Sequence, residues 1–97
     1  MDALAILKAA ILDSTKRFAL ETHCDSDEIF GRHNGVSNSC AAHKAGIDRK
    51  VLLRELHKLS KAGVVLRFPI HKGLTLWWPA GYLAELRAEA KAGAACH

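Results

Sequence analysis

Three groups of residues have the types and spacing to do chemistry. Cys40-Ala-Ala-His43 has the two-residue spacing of half a zinc site, and Cys24 and His33 lie upstream as further donors. Structural zinc needs a second comparably spaced pair, which the adjacent His23 and Cys24 do not supply. The expectation is therefore no metal, with Cys40 a small buried residue and His43 an exposed one. Asp25, Asp27 and Glu28 form a second, acidic group, but the pattern of a calcium loop is absent. No nucleophile motif, phosphate-cradling glycine loop or cleft-forming pair of acids accompanies them, so neither an enzyme nor a cofactor is expected. The third group is cationic: Arg49, Lys50, Arg54, His57, Lys58 and Lys61 share one segment. Their chemistry is recognition of phosphate or of base-edge acceptors.

The 97 residues suit one domain, and 49% hydrophobic with 25% charged residues is the composition of a soluble globular protein. No apolar run approaches the ~20 residues of a membrane span. The start, MDALAILKAAILDS, carries an acid where a secretory signal would be basic, so an intracellular, cytoplasmic protein is expected. Three cysteines, Cys24, Cys40 and Cys96, are an odd count without a close pair, which predicts reduced thiols. The net charge is +4, unevenly placed. Acids outnumber bases up to Phe30, whereas Gly31 to Gly73 holds nine bases and two acids. That middle segment is the one suited to an anionic partner.

The elements that must position the cations follow from pattern and punctuation. Leu4, Leu7, Ile11 and Phe18 fall on one helical stripe and predict a long N-terminal helix from residue 3 to about 22. Residues 23–34 are polar; Asp25 and Glu28 have the spacing of a capping pair for a short helical turn. Asn34-Gly35 marks a turn, Val36 a very short strand, and Ser37 or Asn38 the cap of a small helix to Ala45. Gly46 stops that helix, Asp48 caps the next, and Gly63 ends it. Val64 to Phe68 and Leu74 to Trp78 predict a hairpin around His71, Lys72 and Gly73, with Pro69 at a strand end or sheet edge. A C-terminal helix is expected over 81–92.

On the wheel of the Asp48–Gly63 helix, Leu52, Leu56 and Leu59 make the buried stripe. Lys50, Arg54, His57, Lys58 and Lys61 then lie opposite, with Glu55 near the boundary. A solvating face usually mixes charge signs for i,i+4 pairing, and this one is nearly all basic.

The segment SCAAHKAGIDRKVLLRELHKLSKAGVV resembles the helix-turn-helix superfamily. Ala42 stands as the small residue of the first helix, Gly46 and Ile47 as the turn, and Leu52, Leu56 and Leu59 as the core of the second. Gly63-Val64 resembles the ending that leads into a wing. With a hairpin following, the chain is most similar to winged helix-turn-helix DNA-binding domains, clearly over residues 36–78. Cys40 and Ala41 depart from the pattern, at positions that usually carry an acidic or polar residue and a larger aliphatic one. The resemblance implies a mainly α fold with a small β-hairpin, one domain over 1–97, a motif at 37–62 and a wing at 64–78. It further implies double-stranded DNA as partner and a transcriptional regulator of bacterial, plasmid or phage origin. Position by position, Arg49, Lys50, Leu53, Arg54, His57 and Lys58 would face DNA, with Arg67, His71 and Lys72 in the wing.

Trp77 and Trp78 are adjacent on a strand, so their rings point to opposite sides. One enters the core; the other either packs on the C-terminal helix or joins a homodimer contact with Leu4, Ile11, Leu83 and Leu86. Packing on the C-terminal helix is the first expectation; tryptophan's enrichment at hot spots is the ground for the second. A different class of function, a protein-interaction module or phage-encoded inhibitor of a host CRISPR-type defence complex, is compatible with the same fold.

Overall fold

Six helices and three strands follow one another in the computed structural model, which describes residues 1–95. The order is α1 (Ala3–Ala10), α2 (Asp13–Glu21), α3 (Asp27–Asn34), β1 (Val36–Ser37), α4 (Asn38–Ala45), α5 (Arg49–Lys61), β2 (Val65–His71), β3 (Leu74–Pro79) and α6 (Tyr82–Ala95). Cys96 lies outside the described residues. None of the helices is long and apolar enough to cross a membrane.

The strands form an antiparallel sheet in the order β1-β3-β2. The expected hairpin is thus widened by β1, whose Val36 and Ser37 pair with Trp77 and Leu76. Pro69 sits within β2, opposite Thr75, which an edge strand tolerates because one row of its N–H groups has no ladder partner. The register is interrupted between Pro69 and His71, and the hairpin closes over Lys72 and Gly73 alone.

Alternation along β3 sends its side chains to both faces, and both faces are covered. On one, Trp77 and Val65 pack with Leu7, Ala41, Ala42, Leu52 and Leu56 from α1, α4 and α5. On the other, Trp78 and Phe68 pack with Ile11, Ala19, Phe30, Tyr82, Leu83 and Leu86. The adjacent tryptophans therefore anchor two separate cores, and both are buried.

This division explains why the N-terminal helix is broken. Ile11 and Leu12 are extended, with ψ of 126° and 148°. The break lets Leu7 and Ala10 join the first core while Ile11 joins the second. A single helix would hold its stripe to one side of the sheet. Phe18, expected on that stripe, is 49% exposed, and Ala19 is the buried residue of α2.

Residues 27–34 form a full helix instead of a short turn. Its cap is Ser26, whose Oγ accepts from Ile29 N at 3.3 Å. Asp25, expected to cap with Glu28, instead accepts from Arg87 Nη1 at 2.6 Å. Gly31 brings α3 against the sheet: a Cβ there would lie 2.6 Å from Trp78 Cβ and 2.7 Å from Phe68 Cε2. Asp27 Oδ1 accepts from Trp78 Nε1 at 2.7 Å and from Leu83 N at 3.2 Å, joining α3, β3 and α6 through one oxygen.

Candidate nucleic-acid interface

The cationic helix is held by local signals and by its leucines. Ser37 caps α4, with Oγ accepting from Cys40 N at 3.1 Å. Gly46 ends α4 at φ +69°, a left-handed conformation that costs glycine no steric penalty. Asp48 Oδ1 then accepts from Lys50 N at 2.7 Å, opening α5 two residues later. At the far end Val64 N donates to Leu59 O at 2.9 Å and Gly63 N to Ser60 O at 3.1 Å, closing the last turn and feeding β2. Leu52 and Leu56 are buried and Leu59 half-buried, which fixes the rotation of α5.

That rotation leaves Arg49, Lys50, Arg54, His57, Lys58 and Lys61 exposed. Lys58 pairs with Glu55 at 3.2 Å, within its own helix. Among the described residues, Arg49, Lys50, Arg54, Arg67 and Lys72 have no salt-bridge partner. Leu53 differs from its neighbours: it is half-buried and packs on the first core, so little of it is free for a ligand. His57 is exposed, but its ring stands edge-on to Trp77 with centroids 5.2 Å apart and planes at 86°. One side of the imidazole thus rests on the core. The buried Trp77 Nε1 has no hydrogen-bond partner among the described residues.

The start of α4, the start of α5 and the hairpin turn meet around one cleft of about 280 Å³. Asn38, Ser39, Arg49, Lys50, Leu53 and Gly73 line it. Asn38 and Ser39 were not expected at the site; the polar run Ser37-Asn38-Ser39 at a helix start is the signal that points to them. Arg67 lies opposite Trp77 in the sheet and shares its face, so it is on the side of the sheet that carries α5. His71 and Lys72 are exposed beside the turn, where His71 Nδ1 donates to the Lys72 carbonyl at 3.1 Å. Arg49, Lys50, Leu53 and the turn are thereby brought together. Arg54, Lys58 and Arg67 are exposed and do not line the cleft.

Several expectations are corrected. Cys40 is exposed rather than buried, because α4 turns Ala41 and Ala42 toward the core. Of the residues expected at a dimer contact, Ile11, Trp77, Leu83 and Leu86 are buried within the two cores, and Leu4 is half-buried against the first. The segment before α3 is held by α6. Arg87 Nη2 donates to the Thr22 and Cys24 carbonyls at 2.9 and 2.8 Å, tying the segment to α6. Among the described residues no three His, Cys, Asp or Glu side chains gather where they could share a metal ion.

No family model, curated protein or solved structure matches the chain.

Proposed function

We propose that this chain is a double-stranded DNA-binding protein of the winged helix type, acting as a small transcriptional regulator, with α5 presented to the major groove and the β2–β3 turn to the flanking backbone. The observation that carries this reading is the convergence of the α4 start, the α5 start and the hairpin turn on one cleft lined by Arg49 and Lys50. The succession of β1, α4, α5, β2 and β3, with β3 central in the sheet, supports it. So do the unpaired cations of α5, because a face that merely keeps a helix in water gains by mixing signs. Arg49, Lys50 and Arg54 would contact base edges or phosphates, with Arg67 and Lys72 on the backbone. Mixed-sequence duplex should bind at low salt, and a Lys50→Glu, Arg54→Glu double variant should lose that binding while folding normally. A wild-type protein that binds no duplex at low salt would sink the reading.

A second reading, a protein-interaction module such as a phage-encoded inhibitor of a defence complex, is favoured by a different surface. Phe18, 49% exposed, and Ile29, 59% exposed, border one groove of about 220 Å³ between α2 and α3. Large apolar side chains around a recess are a common protein contact. Loss of a co-purifying protein on Phe18→Ser with Ile29→Ser, without change in duplex binding, would assign that surface to such a partner.

A further inference from the structure

We propose that the outward side of α1, together with the recess between α1 and α4, is the contact through which two copies of this chain pair. The inference is independent of the nucleic-acid reading and rests on different residues. α1 is apolar apart from Lys8. From Met1 to Leu12 the only charged residues are Asp2 and Lys8, and both are occupied. Asp2 Oδ1 caps the helix by accepting from Ala5 N at 3.1 Å. Lys8 Nζ reaches Glu85 at 3.0 Å and lies 5.2 Å from the Tyr82 ring centroid.

What α1 turns to solvent is Ala5 and Ala9, with Met1 65% and Leu12 58% exposed at the two ends. A helix whose outward side is also apolar is ordinarily covered on that side. Within one chain, α1 buries only Ala3, Leu7 and Ala10.

Beside this face is a recess of about 430 Å³, lined chiefly by Ala5, Ile6, Ala9, Ala41 and Ala45, with Lys44 among its lining. One surface therefore carries both a projection and a hollow, as a two-fold contact requires. Antiparallel pairing of two α1 helices brings Leu12 of each copy to the recess of the other. The charges agree with a second copy as the occupant. Asp13, next to Leu12, and Lys44 are both without a salt-bridge partner among the described residues. Leu12 entering the opposite recess sets each Asp13 beside the opposite Lys44. An unlike partner would have to supply its own projection and its own acid; a second copy has both.

α1 is eight residues, about 12 Å long at ~1.5 Å per residue. A contact of that length falls below the ~800 Å² per partner of a standard interface, so the pairing is concentration-dependent. Sedimentation equilibrium of the full chain from about 10 µM to about 1 mM tests it. The average mass should rise from 10.6 kDa toward twice that value. Ala9→Glu, a change at an exposed position, should hold the mass at 10.6 kDa with an unchanged far-UV circular dichroism spectrum. Asp13→Lys and Lys44→Asp should each weaken the association, and the two together should restore it. A wild type that stays monomeric throughout, a dimer untouched by Ala9→Glu, or a double reversal weaker than either single change would each overturn the proposal.

Discussion

Removing the Asp27 carboxylate should loosen the second core from both its strand and its helix. Asp27 Oδ1 accepts two bonds, from Trp78 Nε1 at 2.7 Å and from Leu83 N at 3.2 Å. Trp78 is buried, so in Asp27→Ala its indole N–H is left without a partner, at a cost of about 1–3 kcal/mol. Leu83 N belongs to the first turn of α6, where N–H groups have no partner within the helix, and losing its acceptor costs roughly 0.5–2 kcal/mol. The two losses share one oxygen and are not independent, which brings the sum to about 2–4 kcal/mol. A domain of this size is stable by about 5–15 kcal/mol, so the change is a large part of the whole. It corresponds to a melting temperature lower by roughly 10–25 °C. Asp27→Asn keeps an acceptor oxygen in place and loses only charge assistance, about 1 kcal/mol. Urea unfolding followed by tryptophan fluorescence and by far-UV circular dichroism measures both variants. An Asp27→Ala protein within about 0.5 kcal/mol of wild type, or an Asn variant as damaged as the Ala variant, would refute the reasoning.

Gly31→Ala should destabilise by about 1–3 kcal/mol or more in the same assay, because its Cβ would meet Trp78 Cβ at 2.6 Å and α3 would have to lift from the sheet. Arg87→Ala removes bonds to Asp25 Oδ1 and to the Thr22 and Cys24 carbonyls; the expected result is faster amide hydrogen exchange across residues 22–26, with a global loss near 1 kcal/mol. Burial, and then the charges of Glu89 and Glu85, raise the Tyr82 phenol above its ordinary value of 10.0. Its contribution to stability is thus fully present below the unfolded pKa and lost as pH rises through the folded one. Urea midpoints between about pH 8 and about pH 11 should fall more steeply for wild type than for Tyr82→Phe above pH ~10.

Much of the region around α5 was legible because its signals are local. Asp48 as cap, Gly46 and Gly63 as terminators, and the leucine stripe each depend on a few neighbouring residues, and each is found in place. The break after Ala10 was not legible, because residues 3–12 are almost uninterruptedly apolar and the reason for breaking is the existence of two cores. α3 was hidden by Gly31, which lowers helix propensity but is required where α3 meets Trp78. For the same reason most residues expected at a dimer contact are found inside the chain's own cores. Ile11, Leu83 and Leu86 look surplus to a single core, and the second face of the sheet absorbs them. At the candidate site, Arg49, Lys50 and Arg54 could be read from one helical wheel. The approach of Asn38, Ser39 and Gly73 depends on where the hairpin folds back, which no local pattern encodes.

The salt dependence of duplex binding tests the central claim most directly. If Arg49, Lys50, Arg54, Arg67 and Lys72 each neutralise a phosphate, the logarithm of the binding constant should fall with the logarithm of salt concentration at a slope of about −4.5. Neutralising Lys50 and Arg54 together, as Gln, should flatten that slope to about −2.7 and lower affinity at every salt concentration. Duplex binding by wild type with a steep slope that the double substitution flattens is the predicted result. No binding at low salt, or a slope that the substitution leaves unchanged, would contradict the assignment of this face to DNA.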